Sequence, residues 1–274
     1  MNLFAQNLSV RFSKTILFFI FLLFLSFIHV NVILSQSYGG SICERSSNPS
    51  LLQQIKGNKI PDLYIGYSAR GVKDDNFPGY DLYHTKNWAS SILMPNTPLP
   101  KVPKEMDFDN EVQFVRRVNL SCLYSPYSLM DKDTSTAWSE GVEGDGLGEV
   151  VLAYVDVQKP IKIWTGFGKN QKLFLANNRP KVIRVYVLEA GYYGVGESNF
   201  VLGKFKSLGV HEIALLDVNG YQKLNIPLYK LNPIGIGSGA DKQYMRESIL
   251  AIEIVSVYKG EKYSDTLITE VSNE

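Results

Sequence analysis

Two regimes of hydrophobic patterning divide the chain. From Phe114 onward it changes to short runs of β-branched and aromatic residues separated by turns: VVLAYVDV (Val150–Val157), IKIWTGFG (Ile161–Gly168), VIRVYVLEA (Val182–Ala190), FVLGKF, HEIALLDV and SILAIEIVSVY (Ser248–Tyr258). Each run alternates or stays apolar over the length of a strand, and no helical window longer than a turn or two lies between them. The pattern predicts an all-β fold, an antiparallel β-sandwich. Pro160 and Pro180 fall at strand starts, where a missing N–H costs little.

Upstream the pattern is irregular. NPSLLQQIKGNKIP predicts one short helix capped at Ser50. A loop-rich stretch follows, ending in a proline-stiffened segment, Pro95 to Pro103, expected to be extended. Leu51, Leu52, Ile55, Tyr64, Tyr67, Tyr80 and Trp88 give this region enough apolar surface to dock on something, but too little to fold alone. At the amino end, Arg11 and Lys14 precede the nearly unbroken apolar run Ile16–Ile28. That length suits a secretory signal peptide, with Ser35-Gln36-Ser37 as the small-residue cleavage region; an uncleaved anchor is the rival reading. Three regions are therefore expected: residues 1–37 as signal peptide or N-terminal membrane anchor, 38–110 as a loop-rich region of unknown fold, and 111–274 as the β-sandwich. The protein is expected to be secreted or in the cell envelope.

A formal net charge of +1 with 20% charged residues leaves no basic footprint for nucleic acid. The two cysteines, Cys43 and Cys122, either pair, closing a long loop worth about 3–5 kcal/mol, or stay as two thiols. His29 and His84 are isolated, with no spacing that suggests zinc.

The chemistry concentrates in DKDTSTAWSEGVEGDGLGE, Asp131–Glu149. Asp131, Asp133 and Thr136 carry no apolar periodicity, and a turn can wrap them around one hard cation, which wants six to eight oxygens. An EF-hand is excluded, because Val142 stands where the bidentate glutamate would be. The competing reading is an Asx-type turn with solvated acids. Trp138 is either a core plug or a ligand platform. Two further loops, Gly166–Asn170 with Asn177-Asn178-Arg179-Pro180, and Tyr258–Thr266, bring amides, a guanidinium and aromatic rings to one rim. A sugar site requires such groups, although asparagines beside a proline also simply make turns. Glu140 with Asp145 or Glu149 is the one arrangement that suggests glycoside hydrolysis, which needs two carboxylates about 5–5.5 Å apart across a cleft in the retaining case.

Ser128-Leu129-Met130-Asp131-Lys132-Asp133, Thr136-Ala137-Trp138-Ser139-Glu140-Gly141 and Gly146-Leu147-Gly148-Glu149 resemble the first-loop signature of discoidin-like domains, the coagulation factor 5/8 type C superfamily. The run from about Asn119 to Val271 is most similar to the bacterial branch known as the NADase-type glycan-binding domain. The acidic loop, the aromatic-glycine strand end, Asn177-Asn178-Arg179 and Tyr258-Lys259-Gly260-Glu261-Lys262-Tyr263-Ser264-Asp265-Thr266 occur in that branch's order. The resemblance implies a discoidin/galactose-binding-like jelly-roll β-sandwich that binds carbohydrate without catalysis. It further implies a structural Ca2+ held by Asp131, Asp133 and Thr136, by Ser128 and Thr269 through carbonyls, and by Glu270 as closing carboxylate. Lys132 departs from the glycine of relatives, at a position where a positive φ is expected.

The glycan-contact candidates are Asn170, Asn177, Asn178, Arg179, Tyr263 and the pair Tyr192-Tyr193. The activity of NAD glycohydrolases is not carried over, since about seventy leftover residues show no acid–base or nucleophile constellation. The expected function is an exported, non-enzymatic glycan-recognition module whose partner is a glycan or glycosylated surface. The alternative is a structural or adhesive envelope protein that meets a protein partner, with its N-terminal region as docking arm.

Overall fold

A computed structural model describes residue 43 and residues 47–66, 87–101, 108–196, 199–237 and 242–274. The leader reading, the end of the proline segment, Tyr67, Tyr80 and His84 lie outside the described residues. Among the described residues no helix is long and apolar enough to cross a membrane.

The sandwich is built from two four-stranded antiparallel sheets. Sheet I joins β3 (Val150–Tyr154), β12 (Ser248–Tyr258), β5 (Arg179–Glu189) and β8 (Lys206–Ala214) in the order β3-β12-β5-β8. Sheet II joins β2 (Trp138–Ser139), β13 (Leu267–Asn273), β4 (Ile161–Thr165) and β9 (Gln222–Lys223) in the order β2-β13-β4-β9. Val151, Ala153, Ile183, Val185, Leu250, Ile252 and Ile254 of sheet I pack against Trp138, Ile161, Ile163, Ile268 and Val271 of sheet II. Both sheets present alternate residues to this core, as a period of two requires. Trp138 is fully buried, so the core-plug reading is the one realised.

The other face of sheet I is also apolar. Val150, Leu152, Tyr186, Leu188, Ile249 and Ala251 point away from the sandwich core into a second cluster with Leu51, Ile55, Leu63, Ile65, Trp88, Phe200 and Leu202. This explains why SILAIEIVSVY is apolar in both phases apart from Ser248, Glu253 and Ser256: β12 is central in a sheet covered on both sides. The cover is a third layer. It holds helix α1 (Leu51–Lys56) and a three-stranded antiparallel sheet of β1 (Leu63–Gly66), β7 (Asn199–Gly203) and β6 (Tyr192–Val195), ordered β1-β7-β6. A two-stranded ribbon, β10 (Ile234–Ile236) with β11 (Gln243–Met245), completes the strands. Helix α1 starts after Ser50, as the sequence predicts, but Ser50 makes no side-chain cap. Lys56 at the end of α1 reaches Glu253 of β12 at 3.2 Å, and Arg184 and Tyr186 donate to the other oxygen of the same carboxylate.

A strap from the same region closes the sandwich along its side. Leu152 N–H donates to the Trp88 carbonyl and Ser90 N–H to the Val150 carbonyl, both at 2.8 Å, so the strap pairs with the edge strand of sheet I. Three residues on, Leu93 N–H donates to Ser139 of β2, the edge strand of sheet II. Two sheet edges that would otherwise expose unpaired backbone are sealed by one short segment.

One helix was not expected. α2 (Phe108–Ser121) runs into the start of the sandwich, and Val118 and Cys122, one turn apart, bury against the main core. The sequence pattern here is diluted by Asn119 and Ser121, which is why no helical period stands out. Cys122, at its end, is disulfide-bonded to Cys43, with Cα atoms 5.2 Å apart. The bond closes 79 residues of separation, which on the chain-entropy account contributes about 4–5 kcal/mol. The described residues all belong to one compact unit, Ser41–Glu274.

Candidate functional site

The acidic loop follows a 3-10 turn, Pro126–Leu129, and doubles back through two Asx turns. Asp131 Oδ1 accepts from Asp133 N–H and Asp133 Oδ1 accepts from Ser135 N–H, both at 2.8 Å. Thr136 Oγ1 donates to Asp131 Oδ2 at 2.8 Å, clamping the turn shut. Lys132 takes φ +63°, the left-handed conformation that glycine would adopt freely; for an L-residue this costs roughly 1–2 kcal/mol. The conformation aims the Lys132 N–H at Glu270 Oε1, 2.6 Å away.

Glu270 reaches that corner because β13 is irregular. The register slips between Ile268 and Glu270, so Ile268 and Val271 both enter the core although three positions apart. The slip turns Glu270 to the opposite face, beside Trp164, its ladder partner. Thr269, at the slip, is buried and locks the loop after β4: its hydroxyl donates to the Gly166 carbonyl and accepts from Gly168 N–H. Asp131 and Glu270, far apart in sequence, thus stand side by side. Burial raises the pKa of both, and the Asp131 charge raises that of Glu270 further. Glu270 is fully buried, and no N–H or hydroxyl of another residue donates to its Oε2; the Asp131 carboxyl is its hydrogen-bonding neighbour, which requires a proton shared between the two acids when no cation lies there.

A half-buried and a fully buried carboxylate side by side, the latter with an oxygen that no N–H or hydroxyl reaches, fit a hard cation in place of the shared proton. The fit is limited to two carboxylates. Asp133 is exposed and turned to Ser135, and among the described residues no three His, Cys, Asp or Glu side chains converge as a metal cluster. Ser128 is buried in the turn just before the loop.

The rest of the signature knits loops together. Glu140, fully buried, accepts from Thr266 N–H at 3.0 Å and Val142 N–H at 2.9 Å. Gly146 takes φ +66° directly over it, where a Cβ would meet Glu140 Cγ at 2.4 Å and the carboxyl carbon at 2.6 Å. Burial, and then Asp265 and Glu149, push Glu140 up to about 7. Glu149 receives both Ser90 and Ser91 hydroxyls at 2.5 Å, and Trp138 donates its indole N–H to the Ser91 carbonyl. Asp145 is tied to Lys259 and Asn178. The three acids suggested for glycoside hydrolysis therefore each serve as internal braces.

The expected glycan contacts divide in the same way. Arg179 is buried, forms a two-pronged pair with Asp217 at 2.7 and 2.8 Å, and donates to the Asn177 and Lys259 carbonyls. Asn178 joins Asp145, the Ser264 carbonyl and Gly260 N–H. Asn177 returns to the Leu173 carbonyl. These three side chains hold strand ends together, because a carbonyl beside them satisfies the same donors a sugar would. Asn170 caps the short helix α3 (Gln171–Ala176) by accepting from Leu173 N–H. Tyr192 and Tyr193 lie on β6 in the third layer, with Tyr193 stacked on Phe200. Tyr263 remains half-exposed on its loop.

The sequence reading passed over Trp164 and Tyr221. They meet edge to face on the outer side of sheet II, ring centroids 5.0 Å apart. Burial, followed by the Glu270 and Asp131 carboxylates, raises the Tyr221 phenol, which places the pair within electrostatic reach of the acidic corner. Trp164 sits in the middle of IKIWTGFG, at the polar phase of an alternating strand. That phase is the signal that could have singled it out.

Residues 116–274 match the family described as the NAD glycohydrolase translocation F5/8 type C domain. The chain belongs to this family. The match spans α2 from Arg116 onward, both sandwich sheets and the acidic corner, and leaves α1, β1 and the strap outside. A solved structure of a GH29 fucosidase from Ruminococcus gnavus in complex with fucose is also similar, at 12% identity and a TM-score of 0.26. That likeness covers 54% of this chain and 22% of the fucosidase. No curated protein matches. As an F5/8 type C domain, the chain has a discoidin-like β-sandwich, in which the signature glycines and acids serve loop geometry.

Because Glu140 is held with its pKa above the ordinary 4.5, its stabilising share is fully present below about pH 4.5 and is lost as pH rises through about 7. The shift corresponds to at most about 3 kcal/mol. Glu140→Gln should flatten the stability–pH curve across that window relative to wild type, measured by urea unfolding at a series of pH values. Parallel curves for the two proteins would show that Glu140 does not titrate there.

Proposed function

We propose that this chain is an exported, non-catalytic recognition module that binds a glycan or a glycosylated surface at the loop end of its sandwich, with a calcium ion at the acidic corner. The carrying observation is the meeting of Asp131 and Glu270 beneath a clamped loop, with Glu270 buried and no N–H or hydroxyl donating to its Oε2. Membership in the F5/8 type C family supports the reading, and the Cys43–Cys122 disulfide supports export, since such bonds persist in oxidising compartments. Asp131 and Glu270 would supply the carboxylates, Thr136 a hydroxyl, and Ser128 and Thr269 carbonyls; Asp133 would have to leave its turn to join them. The ion would supply charge neutralisation for the two acids and a rigid corner for the recognition loops. The internal bracing of Glu140, Asp145 and Glu149 supports a module without hydrolytic activity. A protein-binding envelope role would need the N-terminal region as a free arm, whereas its described part covers sheet I.

Two measurements test this reading. The folded protein applied to an array spanning neutral, acidic and amino sugars should retain a defined subset; a blank array would contradict glycan recognition. In thermal unfolding, calcium at about a hundred times its dissociation constant adds about 2.7 kcal/mol, roughly 5–10 °C in a domain of this size. Chelator should remove that increment, and Glu270→Gln should abolish the response. A midpoint indifferent to both calcium and chelator would leave Asp131 and Asp133 as turn residues.

A further inference from the structure

The outer face of sheet II carries an aromatic site that neither the signature nor the family match assigns. On β4 the buried residues Ile161, Ile163 and Thr165 alternate with half-exposed Lys162 and Trp164. Trp164 cannot swing freely: its indole N–H donates to Asn219 Oδ1 at 3.0 Å, and Tyr221 meets it edge to face at 72°. Gly168 leaves room behind the ring, since a Cβ there would lie 3.1 Å from Trp164 Cε2. Tyr221 is 41% exposed, and the Lys162 ammonium stands 4.1 Å from its ring centroid. Across the ladder, Ser272 faces Lys162 and Glu270 faces Trp164. The site therefore ends beside the Asp131–Glu270 pair.

We infer that Trp164 and Tyr221, rimmed by Asn219, Lys162 and Ser272, form a platform that takes a pyranose ring by stacking. This rests on the glycan-recognition reading and moves its contact surface away from Asn177, Asn178 and Arg179, whose polar groups are bonded within the protein. The chemistry favours a sugar over an apolar partner. The C–H face of a pyranose needs a fixed aromatic plane, and its hydroxyls need donors and acceptors at the rim. The Asn219 amide N–H groups and the Lys162 ammonium, which lies over one face of Tyr221, supply donors here, while Asn219 Oδ1 and the Ser272 hydroxyl are held by Trp164 and Tyr221 and fix the rings. A lipid chain or an apolar peptide side chain would instead desolvate Lys162 and Asn219 with nothing to replace their water. A rigid platform also lowers the ordering cost of binding, because two rings held by Asn219 and by each other lose little freedom when a ligand arrives.

The arrangement provides its own reporter. The chain has three tryptophans; Trp88 and Trp138 are 2% and 0% exposed, so a ligand-dependent change in tryptophan emission reads Trp164. The full chain would be titrated with methyl pyranosides of galactose, glucose, mannose, fucose, N-acetylglucosamine and N-acetylgalactosamine, following emission and heat together. For at least one sugar, emission should change with the same midpoint as the heat. Tyr221→Ala and Trp164→Phe should each weaken calorimetric binding tenfold or more at an unchanged melting temperature. The control for an exposed tyrosine outside every candidate contact is Tyr244→Ala on β11, which keeps wild-type affinity. If Trp164→Phe is destabilised, Asn219→Ala with Tyr221→Ala supplies the same comparison. Heat of binding that persists at wild-type affinity in these variants, or saturation without any emission change, overturns the platform and leaves glycan recognition standing elsewhere on the surface. Absence of heat with every pyranoside, together with a blank glycan array, overturns both.

Discussion

Burial of sheet I on both faces is the constraint from which the rest of this structure follows. In this sheet β3, β12 and β5 are buried along most of their length and have no face to offer water, while β8 at the edge is largely exposed. One side meets sheet II and makes the sandwich; the other demands a cover, and α1, β1, β6 and β7 provide it. Full burial of a side chain such as Leu188 or Ile249 contributes about 1.5–3 kcal/mol, so leaving this face open would remove much of the margin on which a domain's stability rests. The charged residues there obey the same logic. Glu253 is tolerated on the covered face because Lys56, Arg184 and Tyr186 converge on it and hold its carboxyl below the usual range despite burial.

The cover and the recognition loops are mechanically one piece. Ser90 and Ser91 lie in the strap that seals sheet I and also bind Glu149, the last residue of the acidic signature. The Ser91 carbonyl takes the Trp138 indole N–H, and the strap backbone at Ile92 crosses so close to Gly141 that a Cβ would fall 2.3 Å from the Ile92 carbonyl oxygen. Residues that look like ligand groups in the signature thus grip the amino-terminal segment from one side. Arg179 and Asn178 grip the closing loop from the other. Between these clamps the register slip in β13 lifts Glu270 toward Asp131, and the corner is set by backbone geometry rather than by any single contact.

Much of this was legible in the chain. Strands at β3, β4, β5, β8 and β12 announce themselves by β-branched runs, and Ser50 marks the start of α1. The meeting of Asp131 with Glu270 was accessible only through resemblance, because no local pattern links residues so far apart. The strap was invisible: Trp88 to Leu93 has neither period, and its serines act through Glu149, which no spacing rule connects to them. Asn177, Asn178 and Arg179 were read as rim donors because an amide or guanidinium looks the same in sequence whether a sugar or a carbonyl awaits it. The α2 helix was diluted by polar residues at its buried end. Cys43 and Cys122 left pairing open, and only the docking of the amino-terminal region brings them together.

The folding unit begins well before the family match at residue 116, because the cover of sheet I and the strap lie upstream of it. That boundary is tested most directly by comparing residues 41–274 with residues 116–274, both carrying Cys122→Ser, and Cys43→Ser in the longer chain so that the disulfide is absent from each. The account predicts cooperative unfolding and little hydrophobic-dye binding for the longer chain, and strong dye binding without a cooperative transition for the shorter. A 116–274 fragment that unfolds cooperatively at the same midpoint, with no dye bound, would contradict it.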